Sequence, residues 1–342
     1  MKTCYSNIQN FELLVICKTY NQAEFITDAM NGFVVQKTTF PYVCLIIDDA
    51  STDGEQDVIR EFLDKEFIME KAEYHDHKLA EIVIARHKTN LNCTFAVFFL
   101  KENLYNTDKK RPLVEEWSSH CKYEALCEGD DYWTDPLKLQ RQVDYLEKHP
   151  EIDICAHSCQ IIHMQSGQTS YNSVSNKELV IPVEEVIIGG GNFVGTATLV
   201  FRRTIAENLS KFREYLDFDY TLQIDGSIRG GMGYLPECMS TYRSMAPGSW
   251  SSRTANSPEY LSFLKAKNEM FSILDSEYNG RFHNAIMARM LKDDISINES
   301  GKKNRKSLRR YIEGFRILPL KAKIRILMKC YADPICNLLN IK

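Results

Sequence analysis

Apolar and polar residues follow one another along the first 150 positions in short blocks, as expected for strands that alternate with helices. The apolar blocks are five to seven residues long and are bounded by polar positions. They predict four buried strands, at residues 11–17, 42–47, 81–85 and 123–127. Alternation of this kind favours an α/β fold with a Rossmann-like, mainly parallel central sheet and helices on both faces.

The segments between these blocks carry apolar residues at the spacing of amphipathic helices. We predict helices at residues 24–35, from Thr52 or Asp53 to about residue 63, at 94–103, and from Asp135-Pro136 to about residue 149. Thr52 with Glu55, or Asp53 with Gln56, fits a capping box for the second of these helices.

Beyond residue 150 the regular alternation stops. Residues 152–163 and 196–201 are predicted to be strands, and residues 257–298 are predicted to form a helical C-terminal extension. Polar or glycine-rich stretches predict surface loops and turns at residues 66–78, 106–116, 166–177 and 189–191.

The composition is that of an ordinary globular protein, with 44% hydrophobic and 26% charged residues in a chain of 342. A formal net charge of −4 gives no indication of nucleic-acid binding. The eleven cysteines include no CxxC pair, and residues 1–10 are too polar for a signal peptide. No apolar stretch reaches the roughly 18 residues of a membrane span. We therefore expect reduced thiols and a cytoplasmic location.

Charge is distributed unevenly along the chain. Residues 301–342 hold twelve Lys or Arg and two Asp or Glu, a balance of +10, which leaves −14 on the first 300 residues. Residues 302–329 mix these cations with apolar positions, a pattern typical of a basic amphipathic helix on an anionic membrane surface. The alternative is a solvated helix packed against the acidic body.

Two groups of carboxylates follow predicted strands. Asp48 and Asp49 come directly after the second strand, and Glu128, Asp130 and Asp131 come after the fourth. Ligands bind beyond the carboxyl ends of strands in open α/β sheets. Clustered carboxylates repel one another unless a cation or a hydrogen-bonding ligand lies between them. The alternative for Asp130 and Asp131 is a capping turn before the helix at Asp135.

Three strings in this part of the chain resemble the nucleotide-binding half of family 2 glycosyltransferases. They are Cys17-Lys18-Thr19-Tyr20-Asn21-Gln22, Ile47-Asp48-Asp49-Ala50-Ser51-Thr52-Asp53-Gly54 and Glu128-Gly129-Asp130-Asp131-Tyr132-Trp133. The similarity extends in consistent order over roughly residues 10–250. It implies a GT-A fold and an inverting transfer of a sugar from a nucleotide diphosphate.

The resemblance also implies roles for individual residues. Thr19, Tyr20 and Asn21 are expected at the nucleoside, and Asp49 is expected to accept a hydrogen bond from the base N–H, which favours uracil or thymine. Glu128 and Asp130 occupy the acid-x-acid positions and are expected at the nucleotide.

A divalent cation, Mg²⁺ or Mn²⁺, is the expected cofactor. Asp130 or Asp131 is expected to hold it against the diphosphate, where it neutralises the charge of the leaving group. The family usually has Asp where this chain has Glu128, so the assignment of ligands between these carboxylates stays open.

A catalytic base is required to take the proton of the acceptor hydroxyl. Asp219 aligns best with the family's base, while Asp217 and Asp225 are nearby alternatives, and a purely structural helix N-cap at Asp219 is another. Further along, Arg243 is expected to offset phosphate charge, and Trp250 is expected either to stack on a sugar ring or to pack in the interior.

These expectations divide the chain into segments of different roles. They are a GT-A domain at 1–250, with a nucleotide-binding half at 10–150 and an acceptor half at 151–250, a helical extension at 251–300, and a basic tail at 301–342. The expected partners are a nucleotide sugar, such as a UDP-sugar, and a glycan or lipid-linked acceptor, in surface polysaccharide assembly on the inner face of the plasma membrane. Two other functions fit less well: a nucleotidyltransferase, which usually has a basic Gly-rich phosphate loop, and a non-catalytic nucleotide-sugar scaffold.

Overall fold

Strands from both halves of the chain join one mixed sheet in the computed structural model, which describes residues 11–105, 107–254 and 257–299. The described strands are β1 (Leu13–Thr19), β2 (Tyr42–Asp48), β3 (Glu73–Asp76), β4 (Ala80–Arg86), β5 (Cys93–Leu100), β6 (Tyr123–Leu126), β7 (Tyr132–Trp133), β8 (Ile154–His163), β9 (Thr169–Asn172), β10 (Leu179–Ile181), β11 (Val200–Arg202) and β12 (Met232–Ser244). Their order across the sheet is β10-β12-β8-β11-β6-β1-β2-β5-β4-β3, with β7 paired to β12 and β9 paired to β8.

The centre of the sheet is parallel, as predicted. Strands β6, β1, β2 and β5 run side by side in the same direction, and Thr19 lies opposite Asp48 at the ends of β1 and β2. Towards the edges, β4 and β3 are antiparallel, and β11 joins the acceptor half in antiparallel pairing with β6 and β8. Every residue of β2 is buried, as expected for a strand covered on both faces.

Helices cover both faces of this sheet. The described helices are α1 (Ile26–Val34), α2 (Glu55–Glu66), α3 (Arg111–Ser118), α4 (Lys138–Lys148), α5 (Val183–Gly189), α6 (Thr204–Glu207), α7 (Lys211–Tyr215), α8 (Asp219–Ser227), α9 (Trp250–Thr254), α10 (Pro258–Glu277) and α11 (His283–Glu299). Apolar residues of α1, α2 and α4 share a core with one face of the central strands, and Leu113 and Trp117 of α3 pack on the other face. The α/β class is therefore confirmed.

One predicted element is wrong, and other segments differ in detail. Residues 94–103 were expected to be a helix but lie mostly in strand β5, whose eight residues are all buried. A short run that is apolar throughout fits a buried strand and a buried helix equally well by periodicity. The predicted loops at 66–78, 106–116 and 166–177 contain β3, part of α3 and β9, respectively. The predicted capping box at the start of α2 is absent, because Gly54 occupies the N-cap position with φ of 90°.

The predicted helical extension shares an apolar core with residues 151–250. Met270, Phe271 and Leu274 of α10 are buried in the same apolar cluster as Ile154 of β8 and Tyr234 of β12. No helix among the described residues is both long enough and apolar enough to cross a membrane. The basic tail predicted at 301–342 lies outside the described residues.

Candidate active site

The loops that follow β1, β2 and β6 meet at one edge of the sheet. The backbone N–H of Asp49 donates to the carbonyl of Thr19 at 3.0 Å, and the N–H of Gly129 donates to the carbonyl of Lys18 at 3.3 Å. Because β1 lies between β2 and β6, both carboxylate-bearing loops flank the residues that end β1. The structure thus brings together the three strings on which the sequence predictions rest.

Two of the three predicted nucleoside residues hold this edge together. The Thr19 hydroxyl is buried and contacts Gln22 and Glu55. Asn21 has a left-handed backbone with φ of 53°, and its Oδ1 accepts from the N–H of Thr52 at 2.8 Å. Tyr20, between them, is 36% exposed, so it is the member of the set that solvent and ligands reach most readily.

Both carboxylate oxygens of Asp49 have protein partners. Oδ1 accepts from the backbone N–H of Leu104 at 2.7 Å, and Oδ2 pairs with the ammonium of Lys110 at 2.6 Å. Asn103 donates from its side chain to the Asp49 carbonyl at 3.0 Å. Asp49 is therefore a buried, oriented acceptor, and each of its oxygens retains a lone pair for a base N–H.

Glu128, Asp130 and Asp131 form an acidic turn after β6, with Glu128 exposed at its mouth and the two aspartates buried beneath. Desolvation of the carboxyl group, together with the charges of Asp130 and Asp219, raises the pKa of Glu128 to about 7. The charge of Lys18 acts in the opposite direction. Burial also raises the pKa values of Asp130 and Asp131, and the charge of Asp130 raises that of Asp131 further. Three ionised carboxylates in this turn are thus costly without a cation.

Arg243 of β12 holds the acidic turn in place. Its backbone N–H donates to Asp131 Oδ1 at 2.9 Å, and its guanidinium donates to the carbonyl of Asp130 at 2.8 Å and pairs with Asp28 of α1. The guanidinium also lies over the rings of Phe25 and Tyr132, which restricts its movement. These contacts show Arg243 as a support for the turn, and its contact with a diphosphate stays a prediction.

Asp219 stands at the first turn of α8, on the acceptor side of the crevice. Its Oδ2 accepts from the Thr196 hydroxyl at 2.7 Å, and burial raises its pKa despite that hydrogen bond. Its charge is one cause of the raised pKa of Glu128. Ala197, next to Thr196, accepts through its carbonyl from the indole N–H of Trp133 at 2.9 Å, which links this region to the residues that follow the acidic turn. The helix does not begin with Asp219 as its N-cap, because Phe218 occupies that position.

The two alternatives to Asp219 are occupied elsewhere. Asp217 pairs with Arg213 at 2.9 Å. Asp225 contacts Ser210, pairs with Arg213 at 3.4 Å, and lines a separate cavity of about 550 Å³ that contains Arg202 and Arg229. The geometry favours Asp219 as the base, although its role stays a prediction.

The donor set of the acidic turn fits a hard divalent cation. It consists of carboxylate oxygens, and the burial and mutual repulsion that raise their pKa values would be relieved by a positive ion. Among the described residues, no group of three or more His, Cys, Asp or Glu side chains is placed to hold a metal alone. Phosphate oxygens of a bound nucleotide would have to complete the coordination.

Trp250 and its neighbours lie after β12, and Trp250 is the first residue of α9. In the same helix, the guanidinium of Arg253 lies 4.6 Å from the centre of the Tyr105 ring. Tyr105 directly follows Leu104, whose N–H donates to Asp49. This contact therefore joins α9 to the segment that surrounds Asp49. The stacking role of Trp250 stays a prediction.

Sequence reasoning missed three residues of this site. Glu55 was interpreted only as a capping residue, Gln22 only as part of a string, and Lys110 only as part of a charged surface segment. Glu55 directly follows the Asp48–Gly54 string, which is a signal that an acid there faces the same loops. Lys110 had no comparable signal, because it lies 61 positions from Asp49.

Among the comparisons with known proteins, the one with solved structures bears on the fold. No family model matches the sequence. Uncharacterized proteins of Mycobacterium tuberculosis and Mycobacterium bovis are 31% identical over 243 residues, which cover 70% of this chain but only 60% of their own length.

Two crystal structures of S. aureus TarS resemble the present structure. TarS 1–349 in complex with UDP-GlcNAc has a TM-score of 0.59 at 14% identity and covers 90% of this chain and 82% of that one. A second TarS structure has a TM-score of 0.56 at 14% identity and covers 91% of this chain and 50% of that one. The chain therefore has the GT-A fold of glycosyltransferases.

Proposed function

We propose that this protein is an inverting glycosyltransferase that moves a sugar from a nucleotide diphosphate to a hydroxyl of a glycan or lipid-linked glycan. One observation carries the proposal: residues 196–197 contact both sites, since the Thr196 hydroxyl donates to Asp219 and the Ala197 carbonyl accepts from Trp133, two residues after the acidic turn. A group that deprotonates an acceptor must face the group that holds the leaving diphosphate, and this arrangement supplies both in a GT-A fold.

Asp219 is the residue proposed to take the acceptor proton. Burial raises its pKa, which makes the ionised carboxylate a stronger base, and the Thr196 hydroxyl fixes the orientation of Oδ2. Oδ1 accepts from the N–H of Tyr220 at 2.7 Å, so the carboxylate is held at both oxygens and retains a lone pair for the acceptor hydroxyl.

The acidic turn is proposed to hold Mn²⁺ or Mg²⁺ together with the donor. Asp130 is the first candidate ligand, with Glu128 at the mouth of the crevice, while Asp131 already accepts from Arg243. When bound, the ion would neutralise the negative charge of the departing diphosphate. Arg243 keeps the turn at its place and thereby fixes where Asp130 stands relative to Asp219.

The donor is proposed to carry uracil. Asp49 is an oriented acceptor for the base N–H, and Tyr20 offers an exposed ring for stacking. The similarity to TarS, which was crystallised with UDP-GlcNAc and with UDP, supports this choice of base.

Surface polysaccharide assembly at the inner face of the plasma membrane is the proposed setting. The net charge of +10 on residues 301–342 supports attraction to an anionic bilayer. Association of the full chain with anionic but not neutral vesicles, decreasing at high salt, is the expected result.

The test of the function combines binding and turnover. A panel of nucleotide sugars with Mn²⁺ is screened by thermal shift, and the expected result is stabilisation by UDP-sugars above all others. Release of UDP is then measured for the wild type and for Asp219→Asn, which should retain UDP binding but lose about 10²–10⁴-fold in rate. Asp217→Asn is the matched control and should keep its rate. Binding of UDP without any turnover across donors and acceptors would favour the non-catalytic scaffold.

A further inference from the structure

A buried carboxylic acid, Glu55, joins the loops that follow β1 and β2. It is the first residue of α2, and its exposed fraction is 0%. Its Oε2 accepts from the N–H of Gln22 at 2.9 Å and from the Ser51 hydroxyl at 2.8 Å, and its Oε1 contacts the Thr19 hydroxyl. Among the described residues, no Lys or Arg pairs with it, so this carboxyl has hydrogen-bond partners but no countercharge.

The hydrogen bonds that connect Gln22, Thr19 and Glu55 indicate whether the carboxyl group of Glu55 is protonated. The side chain of Gln22 lies against Gly129 of the acidic turn, and it opposes the burial that raises the pKa of Asp130. The amide oxygen of Gln22 faces the Thr19 hydroxyl, which donates to it at 2.8 Å. Thr19 has a single hydroxyl proton, and this contact uses it.

The remaining contact, between Thr19 Oγ1 and Glu55 Oε1, therefore needs a proton from Glu55. A protonated carboxyl donates to Thr19 through Oε1 while its other oxygen accepts from Gln22 and Ser51. The hydroxyl of Thr19 and both oxygens of Glu55 then have partners, and no uncompensated charge is buried at Glu55. Burial, with a smaller contribution from Asp48, raises the pKa of Glu55 against three opposing hydrogen bonds, in the direction that this assignment requires.

Thr19 and Gln22, at the other end of these hydrogen bonds from Glu55, lie against the acidic turn. A Cβ on Gly129 would stand 2.3 Å from Thr19 Oγ1 and 2.5 Å from Gln22 Oε1, so the turn fits closely over this pair. Any shift of Thr19 or Gln22 moves the surface on which Gly129 rests, and Gly129 directly precedes Asp130 in the sequence.

We propose that Glu55 is a positioning residue, held as a neutral carboxylic acid, which acts through Thr19 and Gln22 to set the acidic turn at Gly129, and with it Asp130, for its cation and nucleotide. This inference rests on the proposed function, because it assigns Asp130 to a bound cation. Glu55 itself touches neither donor nor acceptor in this scheme. Groups that orient metal ligands in this way typically change metal affinity or activity about 10–100-fold when they are removed.

The experiment measures UDP binding by calorimetry at increasing Mn²⁺, with the full chain and three variants. Glu55→Gln reproduces the proposed pattern, since its amide nitrogen donates to Thr19 and its oxygen accepts from Gln22 and Ser51. We expect it to keep the wild-type Mn²⁺ requirement within about twofold. Glu55→Ala and Thr19→Val both break the hydrogen bonds between Glu55, Thr19 and Gln22. Each should raise the Mn²⁺ concentration for half-saturation about tenfold or more. The KM for the donor should rise in parallel, more than kcat falls.

Each outcome separates the inference from the function. If the wild type binds no UDP with Mn²⁺, both fail. If the wild type binds and Glu55→Ala and Thr19→Val match it, only the inference fails. A Glu55→Gln protein as weak as Glu55→Ala would overturn the neutral acid, since an ionised carboxylate is what Gln cannot replace. Should Glu55→Ala not fold, Thr19→Val decides, because it retains the shape of the side chain and removes one hydroxyl.

Discussion

Asp49 and the acidic turn are both carboxylate sites at the same edge of the sheet, but they differ in how their charge is compensated. Asp49 has an ammonium partner in Lys110 and a backbone donor in Leu104. Burial, together with the charges of Asp130 and Asp219, raises the pKa of Glu128, and the guanidinium of Arg243 pairs with Asp28 rather than with the side chains of the acidic turn. The charge of Asp49 is compensated within the protein, whereas ionisation of the acidic turn is opposed by burial and by neighbouring carboxylates. Under the proposed function, this difference separates recognition of the nucleotide from the chemistry performed on it.

The largest expected effect comes from removing a charge from the acidic turn. Asp130→Asn should lower UDP release at least 100-fold and abolish the thermal shift with UDP and Mn²⁺, because the carboxylate proposed to bind the cation is gone. The ligand-free variant should melt at a higher temperature than the wild type, since repulsion in the turn falls. Asp57→Asn, which alters an exposed acid on α2, is the matched control. It should change none of the three quantities: UDP release, the thermal shift with UDP and Mn²⁺, and the melting temperature without ligand. Activity that survives in Asp130→Asn would contradict the metal assignment.

A smaller effect is expected at the compensated site. Lys110→Met should weaken UDP binding about tenfold, because it leaves the buried carboxylate of Asp49 without its countercharge and its fixed orientation. The Mn²⁺ requirement at saturating UDP should stay that of the wild type. Lys109→Met is the control, since the neighbouring Lys109 pairs at the surface with Glu102. The UDP affinity of both variants is measured by calorimetry. An equal loss of affinity in the two would show that Lys110 does not support the predicted nucleobase contact of Asp49.

The smallest effect concerns pH. The pKa of Glu128 is about 7, so its carboxylate is increasingly protonated as pH falls below that value and becomes a poorer ligand. Binding of UDP with Mn²⁺ should therefore weaken several-fold from pH 8 to pH 6, and Glu128→Gln should flatten this dependence. In the ligand-free protein the sign is opposite: the folded state holds this proton more tightly than the unfolded state, so stability falls as pH rises towards 7. A steep pH profile retained in Glu128→Gln would assign the titration to another group.

The elements that carry a clear apolar period were predictable from the sequence. Strands β1 and β2 and helices α1 and α4 lie where the pattern indicated, because one or both of their faces are buried. The strand at Cys93–Leu100 was not, since a run of apolar residues buried on both faces has no polar positions to reveal its period.

The candidate site was predictable where residues follow strands directly and not where distant segments meet. The edge position of Asp49 and Asp130 follows from the strands before them. The contact of Lys110 with Asp49 depends on how a surface segment folds back over the edge, and no local pattern records that. Glu55 was mistaken for a capping residue because an acid at the start of a helix fits that role without regard to its burial.

The C-terminal helices have a consequence for how this protein can be cut or extended. Arg289 and Lys292 of α11 donate to backbone carbonyls at the end of α5. Phe271 and Leu274 of α10 are buried in the apolar cluster that includes β8 and β12. A chain shortened to residue 250 would expose this interior, so we expect it to precipitate rather than to act as a minimal enzyme.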